Sequence, residues 1–139
     1  MSNAFSSYGS TLSVGDGGSP TEAFTAIAEV ISIDGPGGEN GEIDVTHLGS
    51  TAKEFIADLI DYGQVTAQTN FLPGDPQHDQ RYIDNLARTI RNYEVSWPTS
   101  SASSATFAAY VQSYRPNVAA GQQGQGNLTL RVTGAVTYA

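Results

Sequence analysis

The chain contains no cysteine, which excludes disulfides, thiolate zinc sites and a cysteine nucleophile. Its two histidines, His47 and His78, are too few for a multi-histidine metal centre. No apolar run approaches the roughly 18 residues of a membrane-spanning helix, and the start has neither the basic residues nor the apolar stretch of a secretory leader. These absences predict a soluble protein that stays where it is made. Cations are scarce too: six face 14 acids, for a net charge of −8 and a pI near 4.4. Lys53, Arg81, Arg88, Arg91, Arg115 and Arg131 are scattered, and only Arg88 and Arg91 fall within one helical turn. The cationic patch that tight binding to nucleic-acid phosphates requires is missing.

Charged residues of both signs make up 14% of the chain, well below the usual value of about a quarter. Fifteen glycines and many Ser, Thr and Gln residues take their place. A surface of small uncharged polar groups resists association poorly and suits close contact with neighbours. At 139 residues the chain fits one domain, residues 1–139, that can bury about two-thirds of its unfolded surface.

Catalytic constellations are equally thin. Asp34-Gly35-Pro36-Gly37-Gly38-Glu39 lacks the acidic spacing of a calcium loop, and Gly35, Gly37 and Gly41 miss the dinucleotide fingerprint. Asp75, His78 and Asp79 could form an acid–base group, but at a helix start they read first as capping residues. His47 falls on the polar side of a strand and suits an interface hydrogen bond. No G-x-S-x-G elbow exists, so the reading is of a non-enzyme with no cofactor and no metal. Asn127-Leu128-Thr129 is a formal glycosylation sequon, with meaning only in a secreted eukaryotic protein.

The patterning predicts a mainly β protein. Residues 1–20 read as an extended, Gly/Ser-rich arm. Alternation predicts strands over Phe24–Ile33, Glu42–Leu48, Gly63–Leu72, Tyr93–Trp97, Thr106–Tyr114 and Asn127–Tyr138, the last with Leu128, Leu130, Val132, Gly134 and Val136 inward. Thr51-Ala52-Lys53-Glu54 has the form of a capping box. Behind it Ala52, Phe55, Ile56, Leu59 and Ile60 fall on one face of a short helix that needs a covering partner. Asp75-Pro76 opens a second helix, residues 76–91, with an apolar stripe of Ile83, Leu86, Ala87 and Ile90 and with Arg88 and Arg91 near its end. The sum is a β-sandwich or barrel with one flanking α-helix.

Three blocks are familiar: Ile27–Pro36; GEIDVTHLGSTAKEFIADLIDYGQVTAQTNFLPGD from Gly41 to Asp75; and LTLRVTGAV from Leu128 to Val136. Together with the start Phe5-Ser6-Ser7-Tyr8-Gly9-Ser10 they resemble the major tail tube proteins of long-tailed, lambda-like bacteriophages. The resemblance implies a virion protein, held in the host cytoplasm before assembly, that forms six-membered rings stacked into a hollow tube. The inner wall of such a tube is a ring-wide β-barrel. The partners implied are copies of itself, a tape-measure protein in the lumen, terminator and baseplate or tip proteins at the ends, and DNA in transit.

Carried onto this chain, the joining segments are residues 1–20, 38–62 and 133–139. The candidate contacts are Phe5, Tyr8, Ile43, His47, Lys53, Phe55, Ile56, Leu59, Ile60 and Tyr138. A wall that passes DNA without trapping it should repel phosphate, and Glu29, Asp44 and Glu94 are the candidate lumen acids. Two alternatives share or approach the fold. One is the tube protein of a contractile or type VI-like secretion machine. The other is a carbohydrate-binding sandwich using Trp97, Tyr110 and Tyr114, disfavoured because alternation places Trp97 beside Tyr93 and Val95 in the core.

Overall fold

The computed structural model describes residues 6, 9–17, 22–99 and 103–138. Among these residues nine strands and one helix follow in the order β1 (Thr11–Gly15), β2 (Phe24–Ala26), β3 (Val30–Asp34), β4 (Glu39–Asp44), β5 (Phe55–Asp61), β6 (Gln64–Asn70), α1 (Pro76–Ala87), β7 (Ile90–Trp97), β8 (Ser103–Asn117) and β9 (Gln125–Tyr138). Seven strands form one antiparallel sheet in the order β2-β1-β7-β8-β9-β6-β3, and β4 and β5 pair separately.

The sheet has to curl. Its end strands β2 and β3 are consecutive in the chain, joined only by Ile27–Glu29. In a flat sheet six interstrand spacings would hold them about 29 Å apart. A three-residue link reaches at most about 14 Å. Closing the gap bends the sheet into a barrel-like wrap, and the Ile27 amide donates to the Leu12 carbonyl of β1 at 2.9 Å.

The concave face is the core. Leu12, Val65, Tyr93, Val95, Phe107, Leu128 and Leu130 are each almost wholly buried, and Tyr93 stacks on Phe107. Alternation identifies most of these positions, and register shifts explain the exceptions. The shift between Val111 and Ser113 returns Tyr114 to the inner face on which Val111 lies. In β9, opposite Thr106–Ala108, Gly134 bulges outward at φ +86° while Val136 stays inside, so Gly134 is not an inward position. Trp97 is half-buried at the core's edge.

Several expectations change. Thr11–Gly15 is a buried interior strand and not part of a loose arm, because Leu12 and Val14 fit the core between β2 and β7. The strand expected over Phe24–Ile33 is two strands at opposite sheet ends, broken at Glu29 with φ +54°. The helix expected behind Thr51 is strand β5, since Phe55, Ala57 and Leu59 alternate with Ile56, Asp58 and Ile60 and β4 supplies their backbone partners. The second helix stops at Ala87, with Arg88 as a left-handed cap at φ +59°, so Arg88 and Arg91 lie beyond its last turn.

Helix α1 begins as its sequence predicts: Asp75 Oδ1 accepts from the amides of Gln77 and His78, with Pro76 following. Its orientation is the reverse of an ordinary amphipathic helix. His78, Arg81 and Asp84 face the core, while Ile83, Leu86, Ala87 and Ile90 face outward.

Each inward polar group has a partner. His78 Nε2 donates to the Ala28 carbonyl at 2.9 Å, which leaves Nδ1 to accept from the Tyr114 hydroxyl at 2.8 Å. Arg81 forms an ion pair with Asp84 at 3.2 Å and donates to the Tyr93 hydroxyl, and its guanidinium lies 5.5 Å from the Tyr93 ring centre. Arg91 grips the other side of Asp84 at 2.6 and 3.2 Å, and Gln80 adds a bond at 2.9 Å. Burial pushes the Tyr93 hydroxyl's pKa up, opposed by nearby Arg81, and pushes Arg81's down. The Asp84 bonds hold Arg91's above its usual value.

Removing one member of a buried ion pair strands the other. Asp84→Ala is expected to destabilise the fold by about 3–5 kcal/mol. Ile83→Ser, on the same helix but facing out, is expected to stay within about 0.5 kcal/mol. Equilibrium urea unfolding of the two variants checks the reversal.

Candidate assembly surface

Sequence dictates an unusual ribbon between Glu39 and Asp61. Opposed residues of antiparallel strands share a face, and Ile43 opposes Ile56 while Asp44 opposes Phe55. One face therefore carries Ile43, Val45, Ile56 and Asp58. The register shift between Asn40 and Glu42 puts Ile60, opposite Asn40, on the other face with Glu42, Asp44, Phe55 and Ala57, and leaves Leu59 in the irregular stretch. Both faces are apolar, and every residue of β4 and β5 is exposed, Leu59 at 87%. A lone two-stranded ribbon is at best marginally stable in water. This one presents apolar side chains on both sides, a surface that monomeric proteins seldom leave open.

Its two ends are held by polar contacts. At the base, Asp61 accepts from Arg131 of β9 at 3.1 Å and from the Gly63 amide at 2.8 Å. These bonds, Gly63's first and Arg131's second, hold the Asp61 carboxyl below the usual range. Gly63 itself sits at φ +64° in the tight link from β5 to β6, a conformation that favours glycine.

At the tip, Thr46 Oγ1 accepts from the Glu54 amide at 2.8 Å, and the Asp44 carboxylate accepts from the Thr46 amide at 2.9 Å. That amide and the Thr46 hydroxyl lower the Asp44 pKa. His47 is in this tip loop, not on a strand, with Nε2 3.5 Å from Glu54 Oε2 and Nδ1 accepting from the Gly49 amide. The Glu54 carboxylate is engaged by Ser50 and His47, so the supposed capping box serves the loop. Leu48 stands fully exposed at its apex.

A second apolar surface lies on α1. Tyr82, Ile83 and Leu86, with Ile90 just beyond, form an exposed stripe, Leu86 at 70%. Beside it a groove of about 460 Å³ is lined by Phe71, Pro73, His78, Tyr82, Ile83 and Pro116 among others. The sequence names Ile83, Leu86 and Ile90 of these as an apolar stripe, which an ordinary amphipathic helix would bury. The usable signal was the inverse stripe His78, Arg81 and Asp84 at three-residue spacing.

The remaining candidates are dispersed. Phe5 and Tyr8 lie outside the described residues, Lys53 is exposed in the tip loop, and Tyr138 is exposed at the end of β9. Glu29 is an exposed turn residue accepting from Asn70 Nδ2 at 3.1 Å, not a strand residue. Glu94 lies half-buried on the convex side of β7, opposite in alternation to Tyr93 and Val95. With Asp44 on the ribbon, the three acids occupy three separate elements. On the convex face Glu94 opposes Thr106, and across the sheet the same side carries Ala108, Tyr110, Arg131, Thr66 and a Gln64–Gln112 hydrogen bond at 2.6 Å. Among the described residues no group of three or more His, Asp or Glu side chains is placed to hold a metal ion.

Because Asp61's folded pKa is depressed, the hold on the ribbon base is full above the ordinary value of 3.8 and is lost as pH falls through the depressed value. An NMR titration should show the Gly63 amide moving with an apparent pKa below 3.8, and Asp61→Asn should abolish that step.

No protein-family model matches the chain, and no curated protein matches it in sequence. Solved structures do. The chain is similar to one in the sheath/tube terminator of the PVC extracellular contractile injection system in its extended state: TM-score 0.75 and 13% identity, over 100% of this chain and 99% of that one. It is similar to a chain in the tail of an empty gene transfer agent particle refined with C6 symmetry, at TM-score 0.74 and 16% identity over 93% and 94%. The SPP1 tail tube gives TM-score 0.70 and 9% identity over 93% and 75%. At these identities the likeness is one of fold: this mainly β chain is built on the same fold as chains of injection-system and tail structures.

Proposed function

We propose that this chain is a structural subunit that assembles into the hollow tube of a virion tail. Copies form six-membered rings, the rings stack, and the tube conducts the genome. The observation that carries the reading is the ribbon from Glu39 to Asp61, apolar on both faces and exposed throughout. Such a ribbon makes physical sense when another copy covers it. The similarity in fold to chains of tails and injection systems supports the same reading.

In this account the strands of all subunits build one inner wall, with a tape-measure protein in the lumen during assembly and terminator and baseplate or tip proteins at the ends. Subunits wait in the host cytoplasm until they polymerise. Net charge of −8 per subunit and a sheet face rich in Thr, Gln and Ala favour passage of a polyanion without capture. Glu29, Asp44 and Glu94 are the acids proposed to face it. The sequence resemblance favours a long, lambda-like tail. A second reading, the tube of a contractile injection machine, draws on the similarity to chains of the PVC and anti-feeding prophage particles.

Wild-type protein at moderate concentration should form rings or tubes visible by negative-stain electron microscopy. Phe55→Ser is expected to leave a folded monomer, with the unfolding midpoint of the wild-type subunit, and to abolish tubes. Normal tubes from that variant would remove the ribbon from the assembly contact.

A further inference from the structure

The ribbon and the α1 stripe are two different apolar surfaces on one chain, and neither covers the other within it. Cations point to how they relate. Arg81 and Arg91 are spent on Asp84, Arg131 on Asp61, and Lys53 belongs to the ribbon itself. That leaves Arg88 and Arg115, and neither guanidinium has an ion-pair partner among the described residues. Arg88, exposed, caps α1 between Leu86 and Ile90 in the chain, at the C-terminal end of the stripe.

The ribbon is the chain's most acidic segment, with six carboxylates against one lysine between Glu39 and Asp61. Asp58 lies on one face next to Ile56, opposite Gly41, and Glu42 and Asp44 lie beside Ala57 and Phe55 on the other. An apolar ribbon edged with carboxylates thus complements an apolar stripe that ends in an unpaired arginine. The groove beside the stripe, at about 460 Å³, has room for a large apolar side chain; its one acid, Asp79, lies at the opposite end of α1 from Arg88 and accepts from the Gly74 amide at 3.4 Å.

We propose that the outer face of α1 and its adjoining groove receive the β4–β5 ribbon of a second copy of this chain. The contact joins two unlike patches, so it is head-to-tail: every copy offers a ribbon and a receptor, and the association propagates into rings or filaments instead of stopping at a dimer. The reversed helix follows from this arrangement. Charged groups paired inside leave the apolar stripe free for the neighbour. The inference names the partner surface for the ribbon and rests on the tube reading for the existence of the assembly.

The absence of cysteine permits a clean test. Chains carrying Leu59→Cys and Leu86→Cys are mixed in equal amounts and oxidised mildly, with Leu59→Cys plus Thr66→Cys, exposed on β6, as the control pair. The expected result is a disulfide-linked heterodimer forming at least several-fold faster with Leu86→Cys than with the control. Arg88→Glu should slow that cross-link, and Asp58→Arg placed on the Leu59→Cys chain should restore it. If Leu86→Cys does not fold, Ile83→Cys takes its place. Equal cross-linking of the two pairs in samples that form tubes by electron microscopy would overturn this contact and leave the tube reading intact. A wild-type chain that stays monomeric at every concentration would overturn both.

Discussion

The buried carboxylate of Asp84, gripped by Arg81 and Arg91, determines which way helix α1 faces. A helix with alternating polar and apolar stripes ordinarily turns its apolar side to the core. Here the polar stripe is partnered by Arg91, Tyr93, Tyr114 and a backbone carbonyl, and burying it leaves only Arg81 Nε without a hydrogen-bond partner. Replacing such a network with hydrocarbon can leave stability equal or higher. The network's value therefore lies in orientation. It commits the apolar stripe to the outside, where only another molecule can cover it.

The same division recurs in the ribbon. The curled sheet completes a dense core with inward residues of β1, β3, β6, β7, β8 and β9, and that core needs nothing from β4 and β5. The ribbon is tethered through Asp61, Arg131 and Gly63 at its base and stiffened by Thr46, His47, Ser50 and Glu54 at its tip. A self-sufficient barrel thus displays a preformed two-stranded arm. Preorganisation of this kind lowers the ordering cost of association. The chain divides its hydrophobic residues between folding and assembly, and the polar contacts keep the two uses apart.

The interior of the sheet was legible in the sequence. Phe107, Ala109 and Val111, then Leu128, Leu130 and Val132, alternate strictly and are buried accordingly. So was the start of α1, because an aspartate followed by proline has one strong local meaning. What failed did so for physical reasons. Phe55–Ile60 is apolar at both helical and strand spacing, and only its pairing with β4 decides between them. The turn at Glu29 interrupts an unbroken apolar alternation with a left-handed residue that no glycine announces. The outward facing of the α1 stripe was not legible, because hydrophobicity alone suggests burial, whereas partners for charge decide it. Candidate contacts in residues 43–60 nonetheless lie on the exposed ribbon, since an apolar segment that needs a cover is conspicuous whether it is helix or strand.

The central claim is that one copy of the chain leaves its hydrophobic burial unfinished. Hydrogen exchange compared between dilute subunits and assembled material tests it most directly. The account predicts that amides of Phe55–Asp61 exchange fast in the dilute subunit and gain strong protection on assembly, while those of β8 and β9 are protected in both. Ribbon amides as protected as the β8–β9 core in the isolated subunit, with no change on raising the concentration, would contradict it.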